Sequence, residues 1–268
     1  MQEIILEKGE DGLAFITLNR PARMNALGRQ IVEELGQAIA AVEADPGVRV
    51  VVLTGSSPSP GSGGARAEAF CAGADLKERR DMAPEQVRHF VNLLRATMGS
   101  LASLSKPTIA AINGFALGGG CELALACDMR VMASAAVIGL PETHLGIIPG
   151  AGGTQRLARL LGPSLAKELI FSGRRLTGEA AQRVGLVNVV AEGGGLEEAV
   201  RALAGPILTA APIALAQAKR AIDGGLDVAL GDGLKLEERC YDVTIPTEDR
   251  LEALDAFRNK RRPVFKGR

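Results

Sequence analysis

The chain has no surplus of either charge, since 31 Lys and Arg stand against 31 Asp and Glu. No global field therefore draws it to nucleic acid or to an anionic membrane surface, and any anionic ligand has to be held by local groups. No C-x-x-C pair is present: Cys71, Cys121, Cys127 and Cys240 lie beside apolar or small residues. That pattern argues against a disulfide framework and a metal site, and for buried thiols in a reducing compartment. Histidine is scarce, and His89 and His144 read as structural or surface residues. No stretch reaches the roughly 18 apolar residues of a membrane span. Met1-Gln2-Glu3-Ile4 has neither the basic region nor the apolar core of a signal peptide. The expectation is a soluble intracellular chain with no metal, nucleic-acid or membrane partner, either unprocessed or with a targeting segment already removed.

What is present is enough apolar material for a large core. Hydrophobic residues make up 47% and charged residues 23% of the 268 positions, a globular balance that fits one large domain or two modest ones. Two strands are expected at Glu3 to Glu7 and Leu13 to Leu18, joined through Asp11-Gly12, a hairpin signal. Ile31, Leu35, Ile39 and Val42 fall on one helical stripe between Arg29 and Glu43, which Asp45-Pro46-Gly47 terminates. Arg49 to Leu53 is a β-branched run, as in a strand covered on both faces. Strand, helix, strand implies α/β layering. Further elements are expected as a helix from Pro84 to Leu104, a strand from Thr108 to Ile112, a short helix after Gly118-Gly119-Gly120, a strand near Asp128 to Met132 and a helix from Thr154. Residues 56 to 69, rich in Ser, Pro, Gly and Ala, are expected to be a mobile surface loop. Beyond Ala191 the segments Leu196 to Ala204, Pro212 to Asp223, Leu226 to Tyr241 and Thr247 to Asn259 read as helices. No internal sequence repeat is visible.

The glycine-rich segments are not nucleotide loops. Gly118-Gly119-Gly120 lacks the Lys-Ser/Thr of a P-loop, and Gly146 to Gly153 lacks the spacing of a dinucleotide fingerprint. They are either tight turns or loops that bring backbone N–H groups to a developing negative charge. The neighbouring acids bear on that choice. Glu122 is followed by Leu123-Ala124-Leu125-Ala126, so it belongs to an apolar helix entered from the glycine triplet, with the positive end of the helix dipole behind it. It is either a helix-start carboxylate or a reactive acid. Glu142, in Gly139-Leu140-Pro141-Glu142-Thr143, is either a loop-surface acid or a partner to the first. Two semi-buried carboxyls beside backbone donors are what acid–base chemistry on a polarised substrate requires.

These residues fall within longer motifs. Phe70 to Glu78 (FCAGADLKE), Ile112 to Leu123 (INGFALGGGCEL), Leu140-Pro141-Glu142 and Gly146 to Leu157 (GIIPGAGGTQRL) resemble the crotonase, or enoyl-CoA hydratase/isomerase, superfamily. Asn19-Arg20-Pro21, Asn25-Ala26-Leu27 and the tail from Ile245 to Glu252 extend the resemblance over nearly the whole chain. Within the superfamily the closest likeness is to the methylglutaconyl-CoA hydratase branch and its enoyl-CoA hydratase domain-containing relatives, through Ala72 to Arg79, Leu123 to Arg130, Leu165 to Phe171 and Cys240 to Leu251.

The resemblance implies an α/β fold, a ClpP-like spiral of β-β-α units over residues 1–192 that carries the active site. A helical region over 196–268 would assemble trimers, usually paired into hexamers. It implies a thioester carbonyl held by the main-chain N–H groups of Ala74 and Gly119, catalytic acids at Glu122 and Glu142, and water positioned near Gly150. For coenzyme A it points to Lys77 near the phosphates and to Arg23 and Ala26 beside the adenine end. Phe257 and Lys260 would come from a neighbouring subunit. Read without the family, Lys77 is equally a solvated lysine at a helix start. Two glutamates fit a hydratase, because hydration needs one group for the proton of water and one for the proton delivered to Cα, whereas an isomerase keeps one acid at the position of Glu142.

The implied activity is addition of water across the 2,3-double bond of an enoyl-CoA thioester, in fatty-acid or branched-chain amino-acid breakdown. The substrate itself is the only coenzyme required. Methylglutaconyl-CoA hydration and enoyl-CoA isomerisation are the alternatives within the family. A nucleic-acid-binding member is disfavoured, because the helix from Arg29 to Asp45 carries Glu33, Glu34, Glu43 and Asp45 against a single arginine. The compartment implied is the mitochondrial matrix in a eukaryote and the cytoplasm otherwise.

Overall fold

In the computed structural model, which describes residues 2–57 and 68–268, the Asp11-Gly12 hairpin forms as expected. Strand β1 (Ile4–Lys8) pairs antiparallel with β2 (Leu13–Leu18), Ile4 opposite Leu18 and Lys8 opposite Ala14. From β3 to β8 the strands alternate between two sheets. β3 (Val50–Gly55), β5 (Thr108–Ile112), β7 (Met129–Ala133) and β10 (Val189–Ala191) extend the first in the order β1-β2-β3-β5-β7-β10, parallel from β2 onward. β4 (Ala69–Cys71), β6 (Phe115–Leu117), β8 (Val137–Gly139) and β9 (Leu176–Thr177) make the second, in the order β4-β6-β8-β9.

Helices close each pair of strands. After β3-β4 come α2 (Leu76–Arg79) and α3 (Pro84–Ala102); after β5-β6 comes α4 (Gly119–Ala126); after β7-β8 come α5 (Gly153–Leu161) and α6 (Pro163–Ser172). This is a spiral of β-β-α units. The chain reads as lacking a repeat because the unit is conserved in geometry and not in residues. The smaller sheet is absent from the expected elements, since β4, β6 and β8 span three residues each and β9 two, too short for an alternating pattern to declare itself. The expected loop over 56 to 69 falls on residues 58–67, outside the described residues, and at its end Ala69 opens β4 and is buried.

The RVVVL strand is covered on both faces, as its composition predicts. Val51 and Leu53 join the main core with Ile31, Leu35, Phe90, Met98 and Leu123. Val50 and Val52 face the other way, into a cluster closed by Val200 and Ala204 of α8 (Leu196–Leu208). Helix α1 (Arg29–Ala44) buries Ile31, Val32, Leu35, Ala38, Ile39 and Val42, the stripe predicted from spacing. Full burial of each large aliphatic side chain contributes roughly 1.5–3 kcal/mol.

Beyond α8 the helical expectation holds with shifted boundaries. α9 (Pro212–Gly225) runs on past Asp223, the chain turns through residues 226–229 with Ala229 extended, and α10 (Leu230–Thr244) starts four residues later than the apolar pattern suggests. α11 (Glu248–Arg258) follows, and the tail folds back so that the Lys266 and Gly267 N–H groups donate to Asp249. α9 has no buried residue, and Ile222, Leu226, Leu230, Leu234, Leu251 and Leu254 are all exposed. No single helix among the described residues is long and apolar enough to cross a membrane.

Candidate active site

Two unengaged backbone N–H groups meet where β4 and β6 deliver the chain into helices. Leu27 bridges to the Ala74 segment, its N–H donating to Gly73 O at 2.8 Å and its carbonyl accepting from the Asp75 N–H at 2.9 Å. This leaves the Ala74 N–H between them without an acceptor among the described residues. Gly119 is the first residue of α4, so its N–H has no intrahelical acceptor. A methyl group built on Gly119 would stand 3.5 Å from Ala74 N, so the two N–H groups border one small space.

The triplet before Glu122 is required by close approach and by backbone conformation. Gly118 has φ +53° and ψ −122°, outside the reach of other L-residues. A Cβ on Gly120 would lie 2.0 Å from Cys71 O, so only glycine lets α4 press onto β4. Every residue of α4 is buried, which brings Glu122 in with it.

Glu122 is 4% exposed. Its Oε1 accepts from the N–H groups of Ala151 and Gly153, each at 2.8 Å. Gly153 is the first residue of α5, so the carboxyl also caps that helix at its positive end. Burial raises its pKa above the ordinary value, opposed by the Gly153 and Ala151 N–H groups and by Arg156 and Arg95. The loop is held from outside: Arg95 donates to Gly150 O through Nε at 3.2 Å and Nη2 at 2.9 Å, and Arg156 Nη1 to Ala151 O at 3.0 Å.

Glu142 opens a 3-10 turn, Glu142–Leu145, tied to α6 by the Thr143 hydroxyl donating to Ile170 O at 2.8 Å. It is 7% exposed, and its Oε2 is buried with no hydrogen-bond partner among the described residues. A Cβ on Gly118 would lie 3.1 Å from its Oε1, so this acid packs against the triplet that leads to Glu122. Burial first, and then the charge of Glu122, push its carboxyl up to about 7, against the lowering effect of its own backbone N–H. The site thus holds one carboxyl supplied with donors and cations and one deprived of them.

A family model for enoyl-CoA hydratase/isomerase matches residues 8–268. The chain belongs to that family. It is 51% identical to the bovine mitochondrial enoyl-CoA hydratase domain-containing protein 2 over 271 residues, covering 100% of this chain and 88% of the relative. It is 47% identical to the human mitochondrial methylglutaconyl-CoA hydratase over 266 residues, covering 98% of this chain and 76% of that protein. Among solved structures, the enoyl-CoA hydratase from Bacillus anthracis superposes with a TM-score of 0.94 at 47% identity, covering 100% of both chains.

Other positions that the enoyl-CoA hydratase/isomerase likeness singles out lie around this centre or apart from it. Ala26 is buried immediately before Leu27, which bridges to Ala74, and its carbonyl accepts from Arg20 Nη1 at 2.7 Å. Arg23 is exposed in the turn just before it. Lys77 is exposed in the first turn of α2, whose N-terminus is capped by Asp75. Gly150 lies in the loop that feeds Glu122, with its carbonyl taken by Arg95. Phe257 is 87% exposed and Lys260, at φ +51°, is exposed just beyond α11. No hydrogen bond or ion pair joins either to Ala74, Gly119, Glu122 or Glu142.

Sequence reasoning assigns no role to the residues that hold the amides and acids in place. Asn25, fully buried at φ +53°, donates through Nδ2 to Ser56 O and Ala69 O and accepts from the Arg20 N–H. Arg20 links Glu3, at 2.9 Å, to Asp75, at 3.3 Å. Their only signal in sequence is an Asn and an Arg in a motif, and the partners Ser56, Ala69 and Asp75 lie 31 to 55 residues away. Arg95 and Arg156 carry no signal beyond a basic residue on a helix.

Proposed function

We propose that this protein is an enoyl-CoA hydratase that adds water across the 2,3-double bond of an enoyl thioester. The observation that carries the reading is the pair of carboxyls in unlike surroundings beside two unengaged amides. The thioester oxygen accepts from the Ala74 and Gly119 N–H groups. Glu122, kept anionic by two amide donors, takes a proton from water through Oε2 as the water oxygen bonds to Cβ. The alkene electron pair moves toward the carbonyl and the negative charge gathers on the oxygen between the amides. Glu142 delivers its proton to Cα, the electron pair returns, and the product is the 3-hydroxyacyl thioester. Loss of one such amide donor typically costs roughly 2.7–4 kcal/mol of transition-state stabilisation. The Gly150 segment is where the attacking water would be held.

For the carrier, the reading assigns Lys77 to the phosphates of coenzyme A and Arg23 and Ala26 to the adenine end. Phe257 and Lys260 would complete the site of a neighbouring subunit, which fits their exposure. The unburied α9 and the apolar residues of α10 and α11 support assembly into trimers, or hexamers built from two trimers. Relatives named as mitochondrial proteins and a Bacillus subtilis relative suggest the mitochondrial matrix or a bacterial cytoplasm. The substrates fitting this reading come from fatty-acid or branched-chain amino-acid breakdown, 3-methylglutaconyl-CoA among them.

The test is a panel of 2-enoyl-CoA and 3-enoyl-CoA esters scored both for water incorporation and for double-bond migration. The proposal expects hydration of at least one 2-enoyl ester, lost in Glu122→Gln and in Glu142→Gln. Double-bond migration that survives Glu122→Gln and needs only Glu142 would make the protein an isomerase.

A further inference from the structure

We propose that Arg95, on the solvent side of α3, is a positioning residue for Glu122 and acts on it through the single peptide that joins Gly150 to Ala151. At one end of that peptide the guanidinium reaches Gly150 O with Nε at 3.2 Å and Nη2 at 2.9 Å. At the other end the Ala151 N–H donates to Glu122 Oε1 at 2.8 Å. A cation on the carbonyl draws electron density toward oxygen and makes the N–H of the same amide a stronger donor, so the two hydrogen bonds reinforce each other. Oε1 is thereby fixed, which leaves Oε2 to take the proton of the attacking water. The inference rests on reading Glu122 as the group that takes the proton from water.

Three features separate this contact from an ordinary surface tie. Arg95 is exposed and forms no ion pair among the described residues, so its charge is not neutralised by a carboxylate. Asn92 Oδ1 accepts from Nη1 at 3.1 Å, one turn back on the same helix, and this steadies the fork. The contact spans 55 residues to meet the loop that serves Glu122.

The charged and titratable groups that face Glu122 are few. Arg95 comes from α3, Arg156 from α5, Glu142 from the turn after β8, and the Cys121 thiol from the adjoining position of α4. Burial pushes that thiol up, so it stays protonated and neutral. Arg156 holds the next peptide through Ala151 O and its own N–H donates to Gly152 O at 2.8 Å. Two cations and two amide donors therefore oppose burial and one neighbouring acid, and Arg95 is the cation whose removal leaves the core untouched.

The experiment is a titration of the free protein labelled with carbon-13 at the glutamate carboxyls, the Glu122 signal being assigned by its loss in Glu122→Gln. In Arg95→Gln the Glu122 midpoint moves up by about one pH unit, Arg95→Lys recovers part of the shift, and the exposed Arg88→Gln leaves it in place. Hydration of crotonyl-CoA followed in parallel shows kcat of Arg95→Gln lowered by up to about tenfold on the acid side of the profile with KM within about twofold, and the loss shrinks as pH rises. A midpoint that does not move, or a loss of kcat equal at every pH, overturns the proposal. If the midpoint moves but even the wild type hydrates no enoyl ester, the positioning role stands and the hydratase reading falls.

Discussion

Glu122 and Glu142 are nearly equally buried, at 4% and 7% exposure, yet their surroundings have little else in common. Burial alone drives both upward, so burial cannot be what assigns them different work. The difference lies in the backbone. Glu122 faces the start of α5 and receives two N–H groups from a loop that two arginines hold. Glu142 sits on a 3-10 turn with only its own backbone N–H to oppose burial, and one of its oxygens is left bare. Donors and cations oppose burial at Glu122, whereas burial prevails at Glu142, and on the proposed reading this difference makes one a base and the other an acid at the same pH.

The largest test of this comparison removes each carboxyl in turn. Glu122→Gln and Glu142→Gln are each expected to lower kcat by about 10²- to 10⁴-fold while CoA-ester binding survives. Steady-state assays together with calorimetric binding check this, and unimpaired hydration in both would refute the assignment.

A smaller pair of substitutions perturbs one surrounding at a time. Gly118→Ala puts a Cβ 3.1 Å from Glu142 Oε1 at a φ of +53°, so it strains the turn and displaces the acid side. Gly152→Ala puts a Cβ 2.3 Å from Arg156 Nη1 at a φ of +114°, so it displaces the loop that serves Glu122. Each is expected to lower kcat about 10- to 100-fold. Their pH profiles separate them: Gly152→Ala moves the acid limb and Gly118→Ala the alkaline limb. Equal effects on both limbs would erase the distinction between the two sides.

The wild-type pH profile is expected to be bell-shaped. On the acid side kcat/KM falls as Glu122 takes up a proton, above the ordinary glutamate value because burial raises it. On the alkaline side it falls as the Glu142 proton, held at about 7, is lost. The two limbs belong to the coupled pair, and a profile flat across neutral pH would contradict the pairing.

Stability gives the smallest effect. A folded-state pKa raised from 4.5 to about 7 means that the Glu142 contribution is complete below about 4.5 and is lost as pH rises through about 7. Glu142→Gln does not titrate, so it should gain on the wild type as pH rises, by up to about 3 kcal/mol at alkaline pH. Thermal melts at about pH 5 and about pH 8 measure the difference, which should widen toward the higher pH.

The two acids were also unequally legible in the sequence. Glu122 stands in front of Leu123-Ala124-Leu125-Ala126, and a carboxylate leading an apolar helix announces burial. Glu142 follows Gly139-Leu140-Pro141, a setting that reads equally well as a surface loop until a family likeness is added. The long elements showed themselves through period: the stripe of α1, and the uninterrupted apolar run of β3 that is packed on both faces. β4, β6 and β8 did not, because three residues hold too little pattern to separate strand from loop. Asn25 and Arg95 were silent for a different reason. Each acts on residues 31 to 55 positions away, and only the closed spiral brings those partners within reach.

The measurement closest to the central claim is an infrared difference spectrum of the free protein at neutral pH, wild type minus Glu142→Gln and wild type minus Glu122→Gln. The account predicts a protonated-carboxyl stretch in the first difference that fades as pH rises through about 7, and a carboxylate band without its protonated counterpart in the second. The reverse assignment, or two carboxylates titrating together at the ordinary glutamate value, would contradict it.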